Sequence, residues 1–181
     1  MGTGRMGARG VLVALMLVAG VAEARAVAGV QMPDAMSVEG RELALDHMEL
    51  KSKLFFDIYV WGLYLERKPG STQEAIAFEG PKHLQLNFKR GIKREQLASA
   101  FRGFLSHSQA MRSPEMKRNA ELLVQSLRAV KKGDSLLISY VPSKGLIVAG
   151  QGSQGAEIPG KAFADVLFTA WLEENPIYEK N

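Results

Sequence analysis

The three histidines are the residues whose chemistry a spacing pattern would reveal most directly. His47, His83 and His107 stand far apart in the sequence, and none belongs to an HExxH or HxH motif. A zinc site built from neighbouring residues needs such spacing, because it places two imidazoles on one face of a helix or strand. The sequence therefore predicts no metal site, and it implies no cofactor.

Nucleophilic and acid–base sites also leave no recognisable pattern. Ser143 and Ser153 lack the strand–turn–helix context of a hydrolase nucleophile, and no pair of carboxylates has a useful spacing. The glycine-rich stretch 150–155 (GQGSQG) is not followed by the start of a helix, so it gives little support for a phosphate-binding loop. The residues alone predict no catalytic group.

The composition excludes further classes of protein. The chain has 181 residues, and 46% of them are hydrophobic, which fits one globular domain. It contains no cysteine, so a disulfide framework, thiolate metal ligands and a cysteine nucleophile are excluded. Its net charge of +4 would indicate nucleic-acid binding only if the basic residues formed one dense face.

Residues 1–26 have the pattern of a secretory signal peptide. Arg5 and Arg9 precede an uncharged stretch, 11–22, and Ala24-Arg25-Ala26 fits a small-x-small cleavage site. The uncharged stretch is shorter than the ~20 residues that a membrane span needs, and no other segment could span a membrane. We predict a periplasmic or secreted protein that is cleaved near Ala26, with Ala22-Glu23-Ala24 as a competing site.

Cleavage would change the charge balance of the chain. Residues 1–26 contain three Arg and one Glu, so the predicted domain, residues 27–181, keeps 20 basic and 18 acidic residues. Lys89, Arg90, Lys93 and Arg94 form a basic group, which we interpret as solvated charge between a strand and a helix. A net charge of +2 gives no support for a nucleic-acid partner.

Hydrophobic periodicity predicts the strands that would position a site. Residues 53–66 (KLFFDIYVWGLYLE) predict one long strand covered on both faces, in which Asp57 and Tyr59 interrupt one apolar face. Residues 40–50 predict a strand pair or a strand with a bulge. Shorter strands are predicted at residues 83–89, 135–141, 146–150 and 156–158.

Three amphipathic helices are predicted as well. The first begins near Lys93, the second starts with Ser113 as N-cap and Pro114 as its first residue and closes at 131–133, and the third covers 160–174. Because strands and helices are grouped rather than alternating, the order predicts an α+β fold with an antiparallel sheet.

Three further blocks of sequence are residues 55–65 (FFDIYVWGLYL), residues 131–145 with KKGD, ISYVP and KG, and residues 158–176 with IPG, FA and FTAWL. Together and in this order, they resemble the chalcone isomerase-like family, in particular its bacterial, exported branch. Glu173 departs from the family, which usually has Gly after the Trp-Leu pair. The resemblance implies an open-faced β-sandwich, in which a helical layer covers a large antiparallel sheet and a cleft lies between them.

The resemblance allows the catalytic residues of the plant isomerases to be carried over one by one. Those enzymes use an Arg before the long strand, a Thr within it, and a Tyr and an Asn at the second helix. The Thr position falls on Tyr59 and the Tyr position on Arg112, while the Asn position is retained as Asn119. The Arg position falls between Lys51 and Lys53, where no Arg occurs, so three of the four positions differ.

The altered set argues against chalcone isomerisation. The resemblance instead implies an exported, non-catalytic protein whose cleft binds a small apolar or amphipathic ligand such as a fatty acid. The candidate ligand-binding residues are Tyr59, Arg112, Asn119 and Lys51. Two alternatives remain open: an intramolecular lyase or isomerase with an unknown substrate, and an envelope interaction protein without a small ligand. Both small-molecule hypotheses expect the candidate residues to converge on one open cavity.

Overall fold

The structure is a computed structural model that describes residues 23–175 and residue 177. Residues 1–22, which carry the basic and apolar parts of the predicted signal peptide, lie outside the described residues. The predicted cleavage position is described, and it lies within the first strand, Ala24–Val27.

The described residues form nine strands, four α-helices and one 3-10 helix. The strands are β1 (Ala24–Val27), β2 (Val30–Pro33), β3 (Ala35–Val38), β4 (Arg41–Lys53), β5 (Phe56–Leu65), β6 (Lys82–Phe88), β7 (Ser135–Val141), β8 (Gly145–Ala149) and β9 (Ala156–Ile158). The helices are α1 (Thr72–Ala77), α2 (Arg94–Ser106), α3 (Pro114–Ser126) and α4 (Lys161–Glu174), and the 3-10 helix is Gln109–Arg112. None of these helices is long and apolar enough to cross a membrane.

Seven strands form one antiparallel sheet in the order β3-β4-β5-β6-β7-β8-β9, and β1 pairs separately with β2. Each strand of the large sheet pairs with its neighbours in sequence. Helix α1 lies between β5 and β6 in the chain, and α2 and α3 lie between β6 and β7. The register between β4 and β5 shifts between Leu45 and His47 and again between Lys51 and Ser52. Such bulges bend and twist a strand pair. The predicted α+β fold and the bulged strand at residues 40–50 are thus confirmed.

Strand β5 separates two cores, because successive side chains of a strand point to opposite faces. Trp61, Leu63 and Leu65 pack with the helices in the larger cluster, on what we call the helical face. Val60 and Tyr64 pack in a smaller cluster with Met32 of β2, on what we call the hairpin face. The β1–β2 hairpin therefore covers the side of the sheet opposite the helices.

The predicted long strand at residues 53–66 is wrong at its beginning. Lys53 pairs with Phe56, so Leu54 and Phe55 form a two-residue turn between β4 and β5. All three apolar residues from Leu54 to Phe56 are exposed. The apolar run resembled a buried strand because composition does not distinguish a covered strand from an uncovered apolar turn.

The second predicted helix begins at the expected residue but is shorter than predicted. Pro114 is its first residue and Ser113 its N-cap, although the Ser113 side chain makes no capping hydrogen bond. The helix ends at Ser126, not at residues 131–133. Residues Leu127 and Val130 remain buried by joining isolated bridges to the glycine-rich loop and to the segment before α2, which preserves their apolar spacing without helical backbone.

Candidate functional site

A cleft of about 330 Å³ lies between the helical face of the sheet and helices α2 and α4. Its walls are mostly apolar, and its polar lining residues are few: Tyr59, His107, Glu174 and Asn175. The apolar walls come from Leu86, Leu97, Phe101, Phe104 and Trp171. Small-molecule sites in proteins are typically clefts of this composition, with volumes of about 300–1,000 Å³.

Aromatic rings form the floor of this cleft. Tyr59 of β5 lies with its ring centroid 6.0 Å from that of Trp171 on α4, and 6.2 Å from that of Phe88 on β6. Trp171 also contacts Trp61 and Phe104 edge-on, with centroids 5.8 Å apart in both pairs. The alternation of β5 places Tyr59 and Trp61 on the same face, which is the face that the sequence pattern assigned to them.

Lys51 stands beside this cleft. It is the partner of Tyr59 in the β4–β5 register, and its Nζ donates a hydrogen bond of 2.7 Å to Oδ1 of Asn175. Asn175 in turn donates to the carbonyl oxygen of Trp171, so the end of α4 holds the amide in place. Lys51 makes no ion pair with any residue that the structure describes, and its positive charge is therefore available at the cleft.

The Tyr59 hydroxyl is a neutral donor rather than a base. Burial, followed by the negative charges of Glu174 and Glu49, raises the pKa of Tyr59 well above its ordinary value. The group stays protonated at neutral pH, because each of these effects disfavours a phenolate. Within the described part of the chain the hydroxyl has no hydrogen-bond partner, so it can donate to a ligand.

Two indole N–H groups on this face also lack partners. Trp61 and Trp171 are 0% and 5% exposed, and neither Nε1 atom has a hydrogen-bond partner among the described residues. A buried donor without a partner normally costs stability, so each such group needs an explanation. The Trp171 ring lines the cleft while its Nε1 atom is itself buried, so an acceptor on a bound molecule would reach the N–H only after a shift of the ring.

The four candidate residues do not converge on one cavity. Tyr59 and Lys51 lie together at the cleft, whereas Arg112 lines a second, more open cavity of about 540 Å³ between α2 and α3, which adjoins the cleft at His107. Asn119 is half-buried on α3 and lines neither of these two cavities. Arg112 is the last residue of the 3-10 helix, and it lines the second cavity while Tyr59 lines the cleft.

Sequence reasoning missed part of this site. Trp171 was recognised only as part of the FTAWL block, and Asn175 lies just after the predicted third helix at residues 160–174. His107 and Glu174 gave no pattern at all, because they reach the cleft from the ends of α2 and α4.

A metal site is not indicated by the structure, since the described residues contain no group of three or more His, Asp or Glu side chains placed to hold an ion.

Comparison with known proteins agrees with this architecture. A crystal structure of an Arabidopsis thaliana fatty-acid binding protein superimposes with a TM-score of 0.56 and 13% sequence identity, covering 83% of this chain and 87% of that one. At this identity the likeness shows the fold alone. No curated protein sequence matches the chain. The sequence model of the family described as chalcone isomerase-like matches residues 24–180. The chain therefore belongs to the chalcone isomerase-like family.

Proposed function

We propose that this protein is a non-catalytic carrier that binds a fatty acid in the cleft between sheet and helices. The observation that carries this proposal is an apolar cleft bordered by Lys51 and Tyr59: within the described residues the Lys51 ammonium has a neutral amide partner but no carboxylate, and the Tyr59 hydroxyl has no hydrogen-bond partner. An acyl chain suits the apolar walls, and a carboxylate suits an ammonium group and a neutral hydroxyl. The fatty-acid binding protein that shares the fold supports this choice of ligand class.

The same residues argue against catalysis. Acid–base chemistry at neutral pH needs a group whose pKa lies near the working pH. The raised pKa of Tyr59 removes it as a base, and Arg112 does not line the cleft beside Tyr59. Tyr59 and Lys51, which stand at or near altered plant positions, are therefore better understood as parts of a binding surface.

Glu174 lines the same cleft and would repel a carboxylate. The proposal therefore predicts opposite effects for the removal of Lys51 and the removal of Glu174. Lys51→Met should weaken fatty-acid binding about tenfold or more by removing a charged partner. Glu174→Gln should strengthen it, because the repulsion disappears. Neither change should alter the binding of the methyl ester of the same fatty acid, which has no charge. Isothermal titration calorimetry of the acid and the ester with each variant measures these differences.

The variant Arg112→Ala tests which of the two cavities the fatty acid occupies. If the fatty acid occupies the cleft, its affinity should not depend on Arg112, which lines the other cavity. A loss of affinity in this variant, with no loss in Lys51→Met, would move the ligand to the cavity between α2 and α3. Native mass spectrometry of protein from its own host gives the first test: empty protein, with no thermal shift across a series of fatty acids, would contradict the proposal.

We also propose that the chain is exported and that its leader is cut before Ala24. A cut after Ala26 would remove most of β1, including Arg25, whose guanidinium bonds to Asp34 and to the carbonyl oxygens of Leu45 and Asp46. A cut after Ala22 keeps these bonds and still follows small residues. N-terminal sequencing of protein recovered from the periplasm tests both points. A mature form that begins at Val27, or no periplasmic protein, would contradict them.

A further inference from the structure

The turn between β4 and β5 exposes three consecutive large apolar side chains. Leu54 is 84% exposed, Phe55 99% and Phe56 58%, and we call these three residues the apolar tip. Among the described residues, Leu122 on α3 is the one other large apolar side chain with such exposure. Three neighbouring residues of this kind on one projecting turn differ from the isolated exposed leucines of an ordinary surface, and they indicate an interaction site.

The backbone of the tip is unfavourable for the residue that occupies it. Leu54 has φ of +57°, in the left-handed region, at the first position of a two-residue hairpin turn. Gly is the favoured residue there, since a side chain is disfavoured at positive φ. The fold therefore gains neither buried surface nor a relaxed turn from Leu54. Its presence is better explained by a contact that the turn makes outside this chain.

Basic residues lie in the segments next to the tip. Three backbone hydrogen bonds hold their segments next to the start of β5: Lys89 N–H to the carbonyl oxygen of Ile58 (2.9 Å), Phe88 N–H to that of Asp134 (2.9 Å), and Gly133 N–H to that of Phe88 (2.8 Å). The Arg90 guanidinium lies 5.2 Å from the centre of the Phe56 ring. We call the following set the basic rim: Lys53, Lys89, Arg90, Lys131 and Lys132.

The rim keeps its positive charge. None of its five residues forms an ion pair within residues 23–175 or 177. The nearby carboxylates are Asp57, which accepts a hydrogen bond from Ser52, and Asp134, which accepts one from the backbone of Lys131. The Lys89 ammonium donates to the carbonyl oxygen of Ala28 in the turn between β1 and β2, and that bond leaves its charge unneutralised. The segments next to the apolar tip thus carry five cations and these two carboxylates. An uncharged partner would satisfy the tip alone, whereas a surface that is both apolar and anionic would satisfy the tip and the rim.

We propose that the apolar tip inserts into the surface of an anionic lipid membrane, with the basic rim on the lipid phosphates. Aromatic and leucine side chains enter the boundary between headgroups and acyl chains, and Lys and Arg are attracted by anionic lipids. Tyr59 follows Phe56 by three residues of β5, about 10 Å along the strand, so membrane contact would bring the cleft residues close to lipid. The membrane contact does not depend on which ligand the cleft holds.

Binding to vesicles tests the proposal. The protein used should begin at Glu23, the first described residue, because the apolar stretch 11–22 would bind lipid by itself. It should sediment with vesicles of phosphatidylcholine and phosphatidylglycerol, more weakly with phosphatidylcholine alone, and less at high salt. Absence of binding to the mixed vesicles, or equal binding to both kinds, would overturn the assignment to anionic lipid.

Variants of the tip separate membrane binding from stability. The double variant Leu54→Gly, Phe55→Ser should lose about tenfold or more of its affinity for the mixed vesicles. Its melting temperature should stay the same or rise, because Gly relaxes the positive φ at position 54. Leu122→Ser removes an exposed leucine from α3 and should leave vesicle binding unchanged. Phe55→Trp should retain binding, and its fluorescence should shift to the blue on mixed vesicles.

The rim has its own matched pair of variants. Lys132→Gln should weaken binding about fivefold, the effect of one basic residue near an anionic surface. Lys117→Gln removes a lysine from the start of α3 and should have no effect.

If the double tip variant instead abolishes a concentration-dependent dimer, and vesicles do not bind, the occupant of the tip is a second copy of the chain and the lipid proposal is wrong.

Discussion

The two faces of the sheet share the same strands but differ in how completely they are filled. On the hairpin face, Met32, Leu43 and Leu45 are at most 1% exposed, and the Tyr64 hydroxyl donates to the carbonyl oxygen of Pro33 at 3.0 Å. On the helical face, a cleft of about 330 Å³ remains. Among the described residues, two indole N–H groups on this face have no partner, against the single Nε2 of His83 on the hairpin face. One face therefore leaves little space between its side chains, while the other keeps a cavity that a ligand could occupy.

The largest predicted difference between the two faces lies in the pH dependence of stability, and it arises from His83 on the hairpin face. Burial lowers the pKa of His83 to about 4, and its Nδ1 lies 2.7 Å from the Ser139 hydroxyl. Between pH ~6.5 and ~4 the unfolded chain binds a proton that the folded protein does not, so the free energy of unfolding should fall by about 3 kcal/mol as the pH decreases through this range. Below pH ~4 this contribution should level off. Urea denaturation at a series of pH values measures it.

The control for this prediction is a histidine at the surface. His83→Gln should remove the extra fall in stability between pH ~6.5 and ~4, whereas His107→Gln, at the exposed end of α2, should retain it. Equal pH dependence in wild type and His83→Gln would show that the hairpin face admits water and is not closed.

Glycine substitutions compare the packing of the two faces directly. A Cβ at Gly62 on the hairpin face would lie 2.5 Å from Sδ of Met32 and 3.1 Å from Cδ1 of Leu45. Gly62→Ala should therefore cost about 1–3 kcal/mol by overpacking. Gly103 lines the cleft and has no atom within 4 Å of such a Cβ, so Gly103→Ala should be neutral or stabilising because Ala favours the helix. Thermal denaturation of both variants measures the difference, and similar losses would remove the contrast.

Removal of a single polar group should give the smallest effect. Tyr64→Phe breaks the hydrogen bond to Pro33 and should cost about 0.5–1.5 kcal/mol. Trp171→Phe removes a buried N–H that has no partner among the described residues, so its cost should stay below about 1 kcal/mol and arise from lost volume alone. The same Trp171 variant should bind fatty acid more weakly. If Trp171→Phe costs more than Tyr64→Phe, the indole N–H has a structural role that the cleft does not explain.

Much of the fold could be predicted because alternation and capping are local properties. The faces of β5 from Tyr59 to Leu65, the start of α3 at Pro114, and the strands at residues 135–141 and 156–158 all agree with the structure. No strand was predicted for the residues of the β1–β2 hairpin. Its residues are ordered by contacts with β4 and β5, which lie later in the sequence and give no local pattern.

The site could be predicted only in part for the same reason. Tyr59 and Lys51 are register partners on neighbouring strands, and a strand pattern can place them together. Arg112 and Asn119 were carried over from a family arrangement, but the 3-10 helix and the orientation of α3 place them away from the cleft. Asn175 and Trp171 come to Lys51 and Tyr59 through the packing of α4 on the sheet, which depends on contacts across more than 100 residues of sequence.

The seven-stranded sheet that the described residues form is open at both edges, and its two outer strands are short. β3 has four residues and β9 has three, while the interior strands β4 and β5 have 13 and 10. An open edge offers unpaired backbone groups to a second chain, and short edge strands limit how many such groups a neighbour can use. We therefore expect this half-barrel to resist aggregation through its edges, even when a hydrophobic turn on the same molecule attaches it to a surface.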